Sequence, residues 1–599
     1  MTDPYADDTP EGRLHLGFLR QLWPHARPYR RGFLACLLIL AVSFVLELLG
    51  PYLLRLAIDG PMLDAAGSTD DRLWRLGGLA AGFLGITAAG ALLGFVYGQL
   101  TAWNGQRVIR DIRRKLYEHL LRLPLTYHEQ HPAGKLTTRV TSDVENLNEL
   151  ISTGVLQSVF DLLKIGGVLV ALFFLDLHLA LFTVATTPVV VILSVLFRRN
   201  AERSYRAVRG RLALQNAFTT ELVGGIRTTR AFGREDEVGK RYAARNQTTT
   251  AAWLDTVRHF SLFFALVDLC LRATTVGLLW FGGSAVLEGR LQAGQFVQFW
   301  LYYNLLTGPI RELGEKYNVL QAAFASCERV FQILAVPTFP PPQTRTLPSP
   351  RRGAARVEFD RVGFSYLPGT VVLRDVSFVA EPGQTIAIVG PTGAGKTTLL
   401  SLVARLRDAD AGTIRVDGQD VRDLDLAALR ARVAYVAQDL FLFTGTVLDN
   451  VRLFDPRIDE ARVWQALQTV GAADFVKALP DGLRSAVQER GGTFSQGERQ
   501  LLAFARALVA EPDVLVLDEA TSSIDSESEA RLQHALTELL RGRTAIVVAH
   551  RLSTVRDADR ILVLEHGQVV ESGTHTELAA RAGAYAHMLQ RVSPPMGRT

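Results

Sequence analysis

Thr385-Ile-Ala-Ile-Val389 runs into Gly390-Pro391-Thr392-Gly393-Ala394-Gly395-Lys396-Thr397-Thr398 and then Leu399-Leu400. An apolar strand, a glycine-rich loop and the start of a helix follow one another here, in the spacing G-x-x-x-x-G-K-[ST]. The glycines let backbone N–H groups turn inward around a phosphate chain. The start of the helix adds a partial positive charge. In this context Gly390 to Thr398 form a nucleotide-binding set: Lys396 reaches the β- and γ-phosphates and the Thr397 hydroxyl suits Mg²⁺.

Downstream, Val514-Leu-Val-Leu-Asp518-Glu519 reads as a buried strand that delivers carboxylates to its C-terminal end. Asp518 suits Mg²⁺ through water, and Glu519 is placed to polarise the attacking water as general base. His550 ends a second apolar run, Ala545-Ile-Val-Val-Ala-His550, where a neutral imidazole suits contact with a γ-phosphate. Upstream, Pro337 to Pro350 is a proline-rich connector that cannot form helix. It separates a second α/β domain, residues 353–595, from a first half of different character.

That first half carries six apolar runs long enough to cross a bilayer, about 20 residues each. They lie at about 32–57, 77–100, 156–176, 179–197, 260–287 and 293–312. Together they give a domain over 32–335, preceded by an N-terminal segment, 1–31, with an elbow helix, and followed by a linker, 336–352. Asp176-Leu177-His178 is a tight hairpin, and Glu288-Gly289-Arg290 is a second short turn. Lys and Arg collect before the first run and between runs two and three and four and five, whereas residues 59–71 are acid-rich. Positive charge stays on the cytoplasmic side, so both termini are expected there. The two basic loops read as helical extensions, with turns near Leu123–Thr138 and Glu221–Gly225 expected to dock on the α/β domain. Glu47 and Asp268 fall inside apolar runs and are candidates for a polar substrate cavity.

Composition agrees with this division. The chain of 599 residues is 48% hydrophobic with a net charge of only +5, which excludes a bulk nucleic-acid binder. Three cysteines, Cys36, Cys270 and Cys327, form no CxxC pair, so neither a disulfide framework nor a zinc site is expected. Residues 1–10 are polar and acidic, unlike a cleavable leader, so the first apolar run is expected to remain as an anchor.

With these residues in view, the chain resembles the ATP-binding cassette exporters over nearly its whole length. The resemblance implies a six-span α-helical membrane domain fused to an α/β P-loop ATPase domain, using ATP and Mg²⁺. It implies that Tyr366 stacks on adenine. Gln438, in Val436-Ala437-Gln438-Asp439, would be a catalytic glutamine that also contacts Mg²⁺. Ser523, Ile524 and Asp525 match the loop after the catalytic glutamate, and Glu489-Arg490-Gly491-Gly492 resembles a segment that crosses between subunits. The family's L-S-G-G-Q signature, which completes the opposite ATP site in a dimer, corresponds here to Phe494-Ser495-Gln496-Gly497-Glu498. Its first glycine and its glutamine are replaced. An intact Glu519 beside an altered signature points to one member of a heterodimer, with a homodimer as the other reading.

The implied activity is ATP-driven export of hydrophobic or amphipathic compounds, multidrug efflux in type, by a half-transporter in the bilayer of an inner or plasma membrane. A lipid or lipopeptide flippase is the alternative, and an ATP-gated regulator or channel is the rival of another class.

Overall fold

The computed structural model describes residues 17–63, 68–151, 156–339, 353–367, 369–518, 526–549 and 552–592. The chain divides into two compact units, one of Met1–Leu120 and Gly134–Val336, the other of Leu121–Ala133 and Pro337–Thr599.

The first unit is helical. It begins with α1 (Gly17–Ala26), α2 (Arg30–Ala57) and α3 (Thr69–Leu120). Between α3 and the next span lie α4 (Leu125–Gln130), which belongs to the second unit, then α5 (Ala133–Thr138) and α6 (Val144–Glu149). α7 (Leu156–Leu175), α8 (Leu177–Gly224), α9 (Ile226–Ala231), α10 (Glu235–Leu287) and α11 (Ala293–Ala335) follow. Each of the six apolar runs lies on one of α2, α3, α7, α8, α10 and α11.

Four segments, Gln21–Met62, Thr69–Leu120, Leu156–Leu175 and Glu235–Leu287, are long and apolar enough to cross a membrane among the described residues. α8 opens with a shorter apolar stretch, Leu177–Thr186. At 1.5 Å per residue the 52 residues of α3 extend about 78 Å, more than twice the thickness of a hydrocarbon core.

The hairpin between α7 and α8 is set by Asp176. Its backbone is extended and its carboxylate caps α8 by accepting from Leu179 N at 2.8 Å. The turn after α10 uses Gly289 at φ +73°. α2 packs along α3, α8 along α10, and α11 against both α7 and α2. Val168, Leu172, Leu278 and Phe299 meet in the centre of the bundle. Outside it, Leu38, Phe95, Phe174 and Trp280 are exposed, as apolar side chains facing lipid should be.

A polar cluster ties the segment between α5 and α6 to α11. Buried Asp143 accepts from Arg139 at 2.6 Å, from Ser326 at 3.0 Å and from Arg329 at 3.1 Å through Nε, with Arg329 Nη2 as a second donor.

The second unit holds two main sheets. Its first strands are β1 (Val357–Leu367), β2 (Thr370–Ala380) and β3 (Thr385–Val389). Then come α12 (Lys396–Val403), β4 (Ala411–Val416), β5 (Gln419–Asp420), α13 (Leu426–Arg432) and β6 (Val433–Val436). A helical segment follows with β7 (Gly445–Thr446), α14 (Val447–Val451), α15 (Glu460–Thr469), α16 (Ala473–Ala478), β8 (Ala486–Val487) and α17 (Gln496–Val509). β9 (Val514–Asp518), β10 (Thr544–Val548), β11 (Arg560–Glu565) and β12 (Gln568–Gly573) close the sheet.

The antiparallel sheet runs β2-β1-β4-β5 and the larger sheet β12-β11-β3-β10-β9-β6. In the latter β11, β3, β10, β9 and β6 are parallel, with Ile546 opposite both Ile386 and Val516. β9 and β10 are buried along their full length, which is why both read as unbroken apolar runs.

Candidate functional site: a phosphate loop at the strand ends

The parallel register puts the C-terminal ends of β3, β10 and β9 side by side. The glycine loop leaves β3, and Asp518 ends β9 on the far side of β10. Ligands of open α/β sheets bind at this edge. Gly390 has φ +155°, and a Cβ there would lie 2.1 Å from Leu564 O; Gly395, at φ +100°, caps α12 and has Leu373 Cδ2 2.7 Å from its would-be Cβ. Glycine is thus required by both conformation and space. Gly390→Ala is expected to abolish nucleotide binding by shifting the loop, measured as loss of fluorescent-ATP binding with the helical content unchanged.

Lys396 opens α12 and folds back over the loop, donating to Gly390 O and Pro391 O at 2.9 Å each. Burial lowers its pKa, and the Asp518 carboxylate opposes that shift. Asp518 is itself buried, and its Oδ2 has no hydrogen-bond partner among the described residues. A buried, unpaired carboxylate oxygen is costly unless something cationic completes it. It fits a Mg²⁺ ion held with the Thr397 hydroxyl.

Pro391, Thr392, Gly393 and Ala394 make the rest of the loop, and Thr398 lies in the first turn of α12. Tyr366, on β1, hydrogen-bonds Thr398 Oγ1 at 2.9 Å and is 41% exposed as a residue, which suits stacking. Gln438 follows β6 and lines, with Asp518, Gln496, Arg499 and Gln500, a cleft of about 220 Å³.

Three residues at this edge have no motif to announce them. Tyr435, on β6, has its phenol pushed up to about 12 by burial and then by Asp518 and Tyr366, so it stays a hydrogen-bond donor. Its only sequence cue is its place three residues before Gln438. Arg499 and Gln500 reach the cleft from the first turns of α17, a placement only the tertiary fold supplies.

The altered signature caps α17. Ser495 is the N-cap; its N–H donates to Glu498 Oε2 at 2.8 Å, while Glu498 N donates to Ser495 Oγ at 3.3 Å. This reciprocal capping box explains why a glutamate is stable at this position. Phe494 is buried in the helical segment's core, and Gln496 and Gly497 form the first turn. Glu519, Ser523, Ile524, Asp525 and His550 lie outside the described residues.

The two candidate cavity residues are each ion-paired. Lys164 Nζ donates to Glu47 Oε1 at 2.6 Å, and Arg272 Nε donates to Asp268 Oδ2 at 2.6 Å.

The ABC transporter transmembrane region matches residues 33–310, and a second family model, ABC transporter, matches residues 373–522. A Bacillus subtilis ATP-binding/permease protein named for multidrug resistance, YheH, is 37% identical over 83% of this chain and 74% of its own length. A Mycobacterium tuberculosis protein named a fatty acid ABC transporter ATP-binding/permease protein is 36% identical over 84% of this chain and 80% of its own. Among solved structures, a bacterial Atm1-family ABC exporter with ATP bound aligns with a TM-score of 0.76. It is 26% identical, covering 95% of this chain and 99% of that one. With a transmembrane exporter domain and an ATPase domain fused in one polypeptide, the chain belongs to the ABC transporters and couples ATP hydrolysis to transport as half of a dimer in a lipid bilayer.

Proposed function

We propose that this half-transporter exports hydrophobic or amphipathic compounds across a cytoplasmic membrane, with its termini in the cytoplasm, as one member of a heterodimer. The observation that carries the ATP-driven step is the unpaired carboxylate oxygen of Asp518, buried at the same strand edge as Lys396. Lys396 and the loop N–H groups hold the phosphates, Tyr366 stacks on the base, and Thr397, Gln438 and Asp518 suit Mg²⁺. That ion supplies neutralisation of phosphate charge. Glu519 takes the proton of the attacking water, and His550 contacts the γ-phosphate. Ser523, Ile524 and Asp525 match the loop that follows the catalytic glutamate in this family.

ATP drives the cycle only through its preference for the joined state of two ATPase domains. That joining switches the membrane helices from inward- to outward-facing.

Glu498 supports the heterodimer. Its carboxylate occupies the N-terminus of α17, where a γ-phosphate from the partner's site would otherwise find a positive helix end. The site completed by this chain's Phe494–Glu498 is therefore weak, and the one built on Lys396 and Glu519 is the competent one. Glu47 and Asp268, each with a basic neighbour, suit the charged end of an amphipathic substrate. Lipid export is the second reading, favoured by the fatty acid transporter relative.

The test is transport into inverted vesicles containing the protein and its partner. ATP-dependent accumulation of a hydrophobic cationic dye is expected, and Glu519→Gln should abolish turnover while keeping Mg-ATP bound. No ATP-dependent accumulation of dye or of labelled lipid would favour a regulator, and near-normal turnover of Glu519→Gln would remove Glu519 as the base.

A further inference from the structure

Arg407 lies four residues past the end of α12, and its side chain is buried. It faces two ways. Nη1 donates to Thr126 Oγ1 at 2.9 Å and Nη2 pairs with the Glu129 carboxylate, both on α4. The guanidinium also lies 4.7 Å from the centroid of the Tyr366 ring, and Tyr366 holds Thr398 in the first turn of the phosphate-loop helix. A continuous set of contacts thus runs from α4, carried by the loop between the second and third spans, through Arg407 and Tyr366 to the nucleotide loop.

We infer that Arg407 is a positioning residue that links base stacking on Tyr366 to the seating of α4. The inference rests on the ATP-binding reading above. This buried guanidinium takes a charge partner and a π partner at once, and each comes from a different element. Arg407 aimed at Glu129 and Thr126 holds the Tyr366 ring in one orientation. A base stacked on that ring favours the same orientation and so the same guanidinium position. Linkage is reciprocal: if nucleotide steadies the grip on α4, the grip on α4 must raise nucleotide affinity by the same factor. Glu129 therefore influences a site that it does not touch. The planar, two-sided contact also specifies arginine, since lysine supplies a point charge without the stacking face.

The experiment is equilibrium binding to the full-length protein in lipid, with Mg-ATP and with inorganic triphosphate as the base-free probe. Arg407→Ala is expected to weaken Mg-ATP about 10-fold and to leave triphosphate unchanged. Glu129→Ala should weaken Mg-ATP about fivefold. Adding it to Arg407→Ala should cost nothing more. Arg407→Lys should fall between wild type and alanine. Unaltered triphosphate binding shows that the loop is folded in each variant, and Glu129, half exposed, tests the linkage without emptying a buried site. Unchanged Mg-ATP affinity in Glu129→Ala, additive losses in the double variant, or equal weakening of triphosphate would each overturn the linkage. Wild type that binds triphosphate and Mg-ATP equally would overturn the stacking role of Tyr366 on which it depends. Wild type that binds neither would overturn the ATPase reading itself.

Discussion

Asp518→Asn should lower ATP hydrolysis about 100-fold, the upper end of what losing a carboxylate that supports a metal through water costs. Asparagine keeps the shape of the side chain but has no charge to offer. In the wild type the unpaired Oδ2 is buried at the end of β9, and a cation is what would complete it. The variant replaces half of that acceptor pair with an N–H₂ group, which repels a metal and its waters.

A second effect reports on Lys396. Burial lowers the pKa of this lysine, and Asp518 is the group that opposes the shift. Without that carboxylate the lysine pKa falls further. The loss of nucleotide affinity at alkaline pH should therefore begin at a lower pH in Asp518→Asn than in wild type. Binding of a fluorescent ATP analogue across pH, with and without Mg²⁺, measures both effects. Hydrolysis near the wild-type rate would remove Asp518 from the site.

Arg329→Ala should cost about 1.5–3 kcal/mol in the stability of the membrane unit, the range for a hydrogen bond to a charged group, because Asp143 keeps Arg139 and Ser326 as partners. Burial alone would raise the Asp143 pKa, but hydrogen bonds and charge from Arg329 and Arg139, with Ser326, hold it below the usual carboxylate range. The sign of the pH dependence follows. A carboxyl depressed in the folded state contributes stability above its unfolded pKa, and that contribution is lost as pH falls through the folded value. Wild type should therefore gain nothing from raising the pH above neutrality, and should lose this contribution only in acid. In Arg329→Ala the acid-sensitive part should shrink. Asp143→Asn combined with Arg329→Gln should cost less than the sum of the two changes. Thermal unfolding in detergent at several pH values distinguishes these outcomes.

The architecture was legible because both halves carry strong, short-range signals. Six apolar runs fall on six long helices, and strand, glycine loop and helix follow one another within residues 385–403. Asp518 was legible for the same reason: four buried apolar residues end in an acid. Tyr435, Arg499 and Arg407 were not, because each acquires its role from neighbours distant in sequence. Arg407 meets Glu129 across 278 residues, and no local pattern encodes such a meeting. Glu47 and Asp268 were legible as charges in apolar surroundings, whereas the basic partner of Glu47 belongs to another helix. The altered signature was legible as a departure, but the capping box that makes its glutamate stable emerges only from the turn geometry at Ser495.

The inclusion of residues 121–133 in the second unit has a consequence for biosynthesis. This segment leaves the ribosome early, and the surface it joins is made much later. At about 5–20 residues per second, Glu129 waits roughly 15–60 s before Arg407 has even been synthesised. Throughout that interval a nascent chain already threaded into the bilayer must present an unfinished seam. Maturation is therefore timed by translation of the C-terminal half, and slowing that translation should lengthen the window for proteolysis at this loop.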